Sequence, residues 1–402
     1  MCIKKIAIEE LQVGMFLIDV DIPWFDTPFL RHKFTIKNQD QINELRKSGA
    51  KIITIDLAKS VQDEPELSVV DAQTVSVKTE IKNTSLRREM GRAKEVKVAV
   101  KNTVRRICAT IKEGGSIDAA ELSPAVDQTM ESILRNNEAL LTLIHQESTA
   151  GLPLSDHAFS VMTLALSIAQ RLELSDLDLK QLGMAALLMD IGWLKLPEEL
   201  FCFGSAYTED EYELVRKHVK HSVELLRKNE FSEEIIELVA CHHERFDGSG
   251  YPIGLGSCSI PLIARILSVA DHYNSKRYGY YDSSSVIPAE ALRAIYAGRQ
   301  QGTHDPDICD LMVQLVGIYP MSSAVQLNTG ERGVVTGLNW KTPLLPKVTL
   351  YYNKNRLQLM KPYVIDLSKQ PDGEPQKSIK KLLDPSLASD DPAGILRFPE
   401  EY

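Results

Sequence analysis

Apolar residues recur every three to four positions through the middle of this 402-residue chain, and the spacing predicts a nearly all-helical region from Ser155 to about Val316. Val161, Leu164, Ala165 and Ile168 share one side of its first helix, which also carries His157 and has Ser155 or Asp156 as a cap. Further helices are predicted from Leu179 to Met189 and at about 209–228, 232–243, 261–274, 287–297 and 306–316. Two helical stretches precede these, about 89–113 and 124–148, broken by Gly114-Gly115. Ser123 and Pro124 are placed to open the second. Its apolar stripe of Val126, Met130, Ile133, Leu134, Leu141 and Ile144 reads as core. Near the N-terminus the alternation predicts a strand over 13–20, a helix over 38–47 stopped by Gly49, and a strand over 51–55. Beyond Ala324 it predicts short strands at 325–327, 333–335 and 348–352, with turns at 328–330 and 353–355.

The expected fold is mainly α: a central multi-helix bundle between a small α+β N-terminal module and a small β-rich C-terminal cap. The divisions are a module at 1–58, a polar linker at 59–88, connecting helices at 89–150, the helical domain at 151–320, and cap plus tail at 321–402. The linker is rich in Asp, Glu, Ser and Thr and is expected to be partly disordered. The polar, Pro-rich tail from about Ser368 is expected to pack loosely.

Composition narrows the function. The net charge of -9 argues against a nucleic acid polymer or an anionic membrane as partner, but leaves a small anionic ligand open. No run of apolar residues is long enough to span a membrane. No apolar signal segment follows Met1, and the six cysteines are scattered without a Cys-x-x-Cys. A reduced, cytoplasmic protein is expected. Cys241 reads as a small buried hydrophobe.

Candidate chemistry gathers around His242-His243, which lead directly into Glu244-Arg245-Phe246-Asp247-Gly248-Ser249-Gly250-Tyr251-Pro252. Adjacent imidazoles beside a loop shaped by Gly and Pro suggest a metal site at a helix end. His157, Asp190, His218 and Asp271 also fall on predicted helices or at their ends. Taken singly, each of these is an ordinary core or surface residue. Together they offer the nitrogen and carboxylate ligands of a hydrolytic centre. Two metals sharing one carboxylate, with Asp190 as the natural bridge, would activate water and neutralise phosphate charge. His32, His145, His272 and His304 read as structural or surface residues.

These residues resemble the HD-GYP family, HD phosphohydrolases that act on cyclic di-guanylate. The likeness covers about 155–318. Its first histidine is matched by His157, and its HD signature by Ala185-Ala186-Leu187-Leu188-Met189-Asp190-Ile191-Gly192-Trp193. His218, the complete signature from His242 to Pro252, and Asp271 in Val269-Ala270-Asp271 follow. Leu11, Val13-Gly14-Met15 and Trp24-Phe25-Asp26-Thr27-Pro28-Phe29 resemble a small module that precedes some members. The resemblance implies a metal set of His157, Asp190, His218, His242, His243 and Asp271, with Asp190 and His218 at the catalytic centre. It implies one or two divalent ions, such as Fe or Mn, and Tyr251 against the dinucleotide. Lys276 and Arg277 are the phosphate-contact candidates. Arg245, Asp247, Gly248, Gly250 and Pro252 are expected to support the loop.

Four positions depart from the family pattern. Met189 stands for the HD histidine, Trp193 for the following lysine, and Asn274 for a second aspartate after Asp271. Pro153 stands where some members have a glutamate, so no third metal is expected. One implied ligand set, Asp190, His218, His242 and His243, is complete. The other keeps His157, Asp190 and Asp271 without its second nitrogen. Two functions stay open: a weakened phosphodiesterase yielding linear pGpG or GMP, and a silent dinucleotide-binding or scaffold protein. The second could engage a protein partner through Gly250-Tyr251-Pro252.

Overall fold

The computed structural model describes residues 3–20, 34–36, 39–56, 84–145, 153–201, 207–280, 285–321, 323–339, 342, 344–370 and 376–383. The expected linker at 59–88 lies outside the described residues as far as 83, and its last residues, from Leu86, already belong to a helix; the stretch Trp24–Phe29, His32 and the tail beyond 383 also lie outside the described residues. The chain divides into two compact units, Met1–Glu80 and Ile81–Tyr402.

The first unit holds β1 (Ile3–Ala7), β2 (Phe16–Val20), β3 (Phe34–Thr35), α1 (Gln39–Lys47) and β4 (Ile52–Asp56). The strands form one antiparallel sheet in the order β1-β4-β2-β3. Leu17, Ile36, Ile42, Leu45 and Ile53 fill its core. The apolar pattern located β2, α1 and β4. It missed β1, whose Lys4-Lys5 pair breaks the alternation.

The second unit opens with two long helices, α2 (Leu86–Lys112) and α3 (Ala119–His145). The second starts ahead of the expected Ser123-Pro124 cap, leaving Pro124 inside the helix. Asp118 takes the capping role by accepting from the Ala120 amide at 3.0 Å. The helices α4 (Leu154–Arg171), α5 (Asp176–Leu188), α6 (Glu209–Lys228), α7 (Glu233–Cys241), α8 (Leu262–Tyr278), α9 (Pro288–Gln301) and α10 (Pro306–Val316) complete the bundle. One apolar core runs through α2–α10, with α6 entering it through Leu226. The expected Ser155 or Asp156 cap is corrected: α4 begins at Leu154, and Asp156 is buried in an ion pair with Lys101 of α2. That pairing consumes the carboxylate a cap would need.

Strands β5 (Ala324–Leu327), β6 (Arg332–Gly337), β7 (Lys347–Tyr352), β8 (Gln358–Asp366) and β9 (Ile379–Leu382) form an antiparallel sheet in the order β8-β7-β6-β5-β9. Strand β9 lies in the tail expected to pack loosely, yet Leu382 and Lys381 pair with Val325 and Gln326. Its sequence, Ile-Lys-Lys-Leu, carries too little apolar signal to announce a strand. Among the described residues no helix is long and apolar enough to cross a membrane. Cys108, Cys241 and Cys309 are free thiols, and Cys241 is buried in the apolar core.

Candidate metal centre

Four helices and one turn bring the six sequence-predicted ligands together in the bundle interior. His157 comes from α4, His218 from α6, and Asp271 from α8. His242 and His243 follow the last turn of α7. Asp190 follows α5 and leads a short 3-10 turn, Ile191–Lys195. All six are buried. Ligand atoms of Asp190, His218, His242 and His243 lie within 4.8 Å of one another, as do those of His157, Asp190 and Asp271. Asp190 belongs to both groups.

Hydrogen bonds to the outer ring nitrogens set the histidines. The Nδ1 atoms of His218 and His242 lie 2.6 Å from the carbonyls of Val215 and Val239. A carbonyl only accepts, so each Nδ1 carries the proton and each Nε2 presents a lone pair. The Nε2 of His218 then lies 3.3 Å from that of His242 and 3.2 Å from the Nε2 of His243. Lone pairs facing one another at this range are stable only around a proton or a cation. The donor set therefore fits a divalent metal. His157 is oriented by Asn274, whose Oδ1 is 2.8 Å from its Nδ1. Its Nε2 is 3.1 Å from both Asp190 Oδ2 and Asp271 Oδ1.

Burial and charge act in opposition here. Burial pushes the His157 imidazole down, but hydrogen bonds and charge from Asp190 and Asp271 hold it up at about 10. Burial also works to raise the Asp190 carboxyl, yet His157, with His218 and His242, holds it well below the usual range. Burial lowers His218 to about 4 and His243 well below its ordinary value.

Aromatic rings back three of the histidines. Tyr280 stacks on His157 at 4.2 Å, Trp193 on His218 at 5.3 Å, and Tyr251 on His243 at 4.7 Å. The rings exclude water and limit rotation of the imidazoles.

Close packing places the turn that carries Asp190. A Cβ on Gly192 would sit 2.0 Å from the His218 carbonyl, so only glycine lets this turn meet α6. Ser222, one helical turn beyond His218, accepts from the Gly192 amide at 2.8 Å. The Met189 side chain packs in the apolar core. Trp193 is buried with Leu196, Leu200 and Val215.

The loop after His243 is organised chiefly by Glu244. Its buried carboxylate accepts from the amides of Ile253 at 2.8 Å, Gly254 at 3.0 Å and Leu255 at 2.8 Å. A Cβ on Gly250 would lie 2.3 Å from the Arg245 amide, and the Tyr251-Pro252 bond is cis. Asp247 accepts from the amide and hydroxyl of Ser249, while Arg245 turns to Ser268 and His304. Gly248 has φ +84, which suits glycine at that turn. Arg277 donates to the Val286 carbonyl at 2.9 Å and lies over the Tyr278 ring. Lys276 is half-buried near the end of α8.

A family model described as an HD domain matches residues 128–308, and one described as a domain of unknown function (DUF3391) matches 3–122. A protein named as a cyclic di-GMP phosphodiesterase from Pseudomonas aeruginosa is 30% identical over 374 residues, covering 91% of this chain and 89% of its own. The chain belongs to the HD-GYP family. A protein named as a cyclic di-GMP phosphodiesterase response regulator from Xanthomonas campestris is 34% identical over 39% of this chain and 44% of its own length. A 3'3'-cGAMP-specific phosphodiesterase from Vibrio cholerae is 30% identical over 39% of this chain and 37% of its own. Sequence reasoning singled out the six His and Asp residues that cluster here but missed Glu244, Ser222 and Tyr280. Glu244 stood beside the histidine pair, and its place at the mouth of a Gly-rich loop was the available signal.

Proposed function

We propose that the chain is a metal-dependent phosphodiesterase of the HD-GYP kind. On this reading it hydrolyses cyclic di-GMP to linear pGpG or GMP, at a rate reduced by Met189 and Trp193. The observation that carries the reading is Asp190, whose carboxylate belongs to both buried ligand groups. Asp190, His218, His242 and His243 would hold one divalent ion, and His157, Asp190 and Asp271 a second. Iron or manganese suits such nitrogen and oxygen donors. Such ions polarise a phosphodiester and lower the pKa of bound water. The chain's own part is to fix and shield. The Val215 and Val239 carbonyls hold two imidazoles with Nε2 inward, and Trp193, Tyr251 and Tyr280 keep bulk water from the ligands. Glu244 holds the loop that carries Tyr251 toward the ligand.

A second reading, a dinucleotide receptor without turnover, is favoured by the side chain of Met189, which lies in the apolar core. A thioether there adds nothing to the three-ligand position. Ile253 at the loop is 67% exposed, a surface such a receptor could offer a protein partner. The test is incubation of iron- or manganese-loaded protein with cyclic di-GMP, following product by chromatography and binding by calorimetry. Product abolished by Asp190→Asn supports the first reading. Binding without product supports the second, and neither binding nor product overturns both.

A further inference from the structure

Arg216 lies on α6, two residues before His218, with its guanidinium between two tyrosine rings. Its Cζ is 4.7 Å from the centre of Tyr212 and 4.9 Å from that of Tyr251. The His243 ring also stacks on Tyr251, at 4.7 Å. Two flat groups do not fit over one face of a phenol ring, so both faces of Tyr251 are taken. A guanine base can stack on Tyr251 only if one of the two leaves. His243 is fixed at the end of α7 among the metal ligands, whereas Arg216 has a long, partly exposed side chain.

Beyond the two rings, little holds Arg216 in place. Its ion pair is with Glu213 at 3.1 Å, one turn away on the helix surface, where side chains are 39% and 63% exposed. Such a pair contributes little. The Arg216 Nε is buried without a hydrogen-bond partner. Arg245 turns to Ser268 and His304, and Arg277 donates to the Val286 carbonyl. Trp193 stands where the family's lysine would be, and it is buried.

We propose that Arg216 is the phosphate-binding cation of this site, resting on Tyr251 and moving onto the dinucleotide when a base takes that face. The inference rests on the dinucleotide reading above. A cyclic dinucleotide brings two phosphodiester anions toward a site that already holds two carboxylates, in a chain of net charge -9. A guanidinium fork meets a phosphate with two parallel hydrogen bonds, and aromatic faces on either side guide its edge. Arg216 thereby supplies the charge that Trp193 does not.

Calorimetry with cyclic di-GMP on full-length metal-loaded wild type, Arg216→Ala and Arg216→Lys tests this, with metal content and thermal melting measured in parallel. Arg216→Ala should bind about 10- to 100-fold more weakly, consistent with loss of a charge-assisted hydrogen bond, and Arg216→Lys should lose less. Metal content should stay at the wild-type level in both. Unchanged or tighter binding by Arg216→Ala would make the residue a mere cover on Tyr251 and overturn the proposal. Absence of binding by wild type would instead overturn the dinucleotide reading itself, and the proposal with it.

Discussion

The hydroxyl of Ser222 donates to the main-chain carbonyl of Met189 at 2.6 Å. The same oxygen accepts from the Gly192 amide, so α6 grips the turn on both sides of Asp190. The grip uses backbone groups at Met189 and Gly192 and is indifferent to the side chain at 189. The contacts that place Asp190 are therefore open to methionine and histidine alike at position 189.

Ser222→Ala should leave the Met189 carbonyl and Gly192 amide buried without this partner, a loss of about 1–3 kcal/mol. Gly192→Ala should destabilise by a similar or larger amount, because its methyl would meet the His218 carbonyl. Both variants should lose metal along with stability, as seen by thermal melting beside elemental analysis. Wild-type metal content in both would detach the turn from the site.

Met189→His should return a nitrogen to the three-ligand position and raise metal occupancy. Turnover of cyclic di-GMP should rise further when Trp193→Lys is added. Bound metal at both positions with no gain in turnover would move the defect to the segment after Asp271, where Asn274 stands.

His243→Ala and Tyr251→Ala separate ligand from support. The first should lower metal content and melting temperature together, because metal bound to the native state stabilises it by mass action. The second removes the ring behind His243 but no ligand atom, so most of the metal should remain. Dinucleotide affinity should fall by about 1–3 kcal/mol if a base stacks on the ring. Full affinity in Tyr251→Ala would assign the loop to another partner.

Acid should destabilise the fold through histidines outside the site. Burial, reinforced by the charge of Arg277, lowers His145 to about 3, and burial with Arg245 lowers His304 to about 3. Their unfolded counterparts titrate near about 6.5. Below that pH the unfolded chain binds protons that the folded chain refuses. The contribution of these two histidines is thus full above about pH 6.5 and falls toward pH 3, by up to about 1.4 kcal/mol per pH unit for each. Urea titrations of wild type and His145→Gln between pH 7 and 4.5 should show the variant with the shallower fall. Parallel curves would deny His145 this role.

Much of this was legible in the chain because the signals were local. Helices α6 and α10 lie where periodicity placed them, and the histidine pair with its Gly-rich loop marked one edge of the cluster. Residues that act across the fold left no such mark. Ser222 and Glu244 are single polar residues whose partners are backbone groups, invisible to side-chain patterns. Tyr280 meets His157 across more than a hundred residues. The opening of α3 was misplaced because Ser-Pro resembles a helix start, whereas Asp118 satisfies the free amide of Ala120 upstream.

The central claim is one complete and one incomplete metal position sharing Asp190. Elemental analysis of protein loaded with iron or manganese and then dialysed extensively tests it most directly. The account predicts about one tightly held ion per chain, with a second appearing only under excess metal, as four ligands against three imply. Two ions per chain surviving dialysis, or none binding under excess metal, would contradict it.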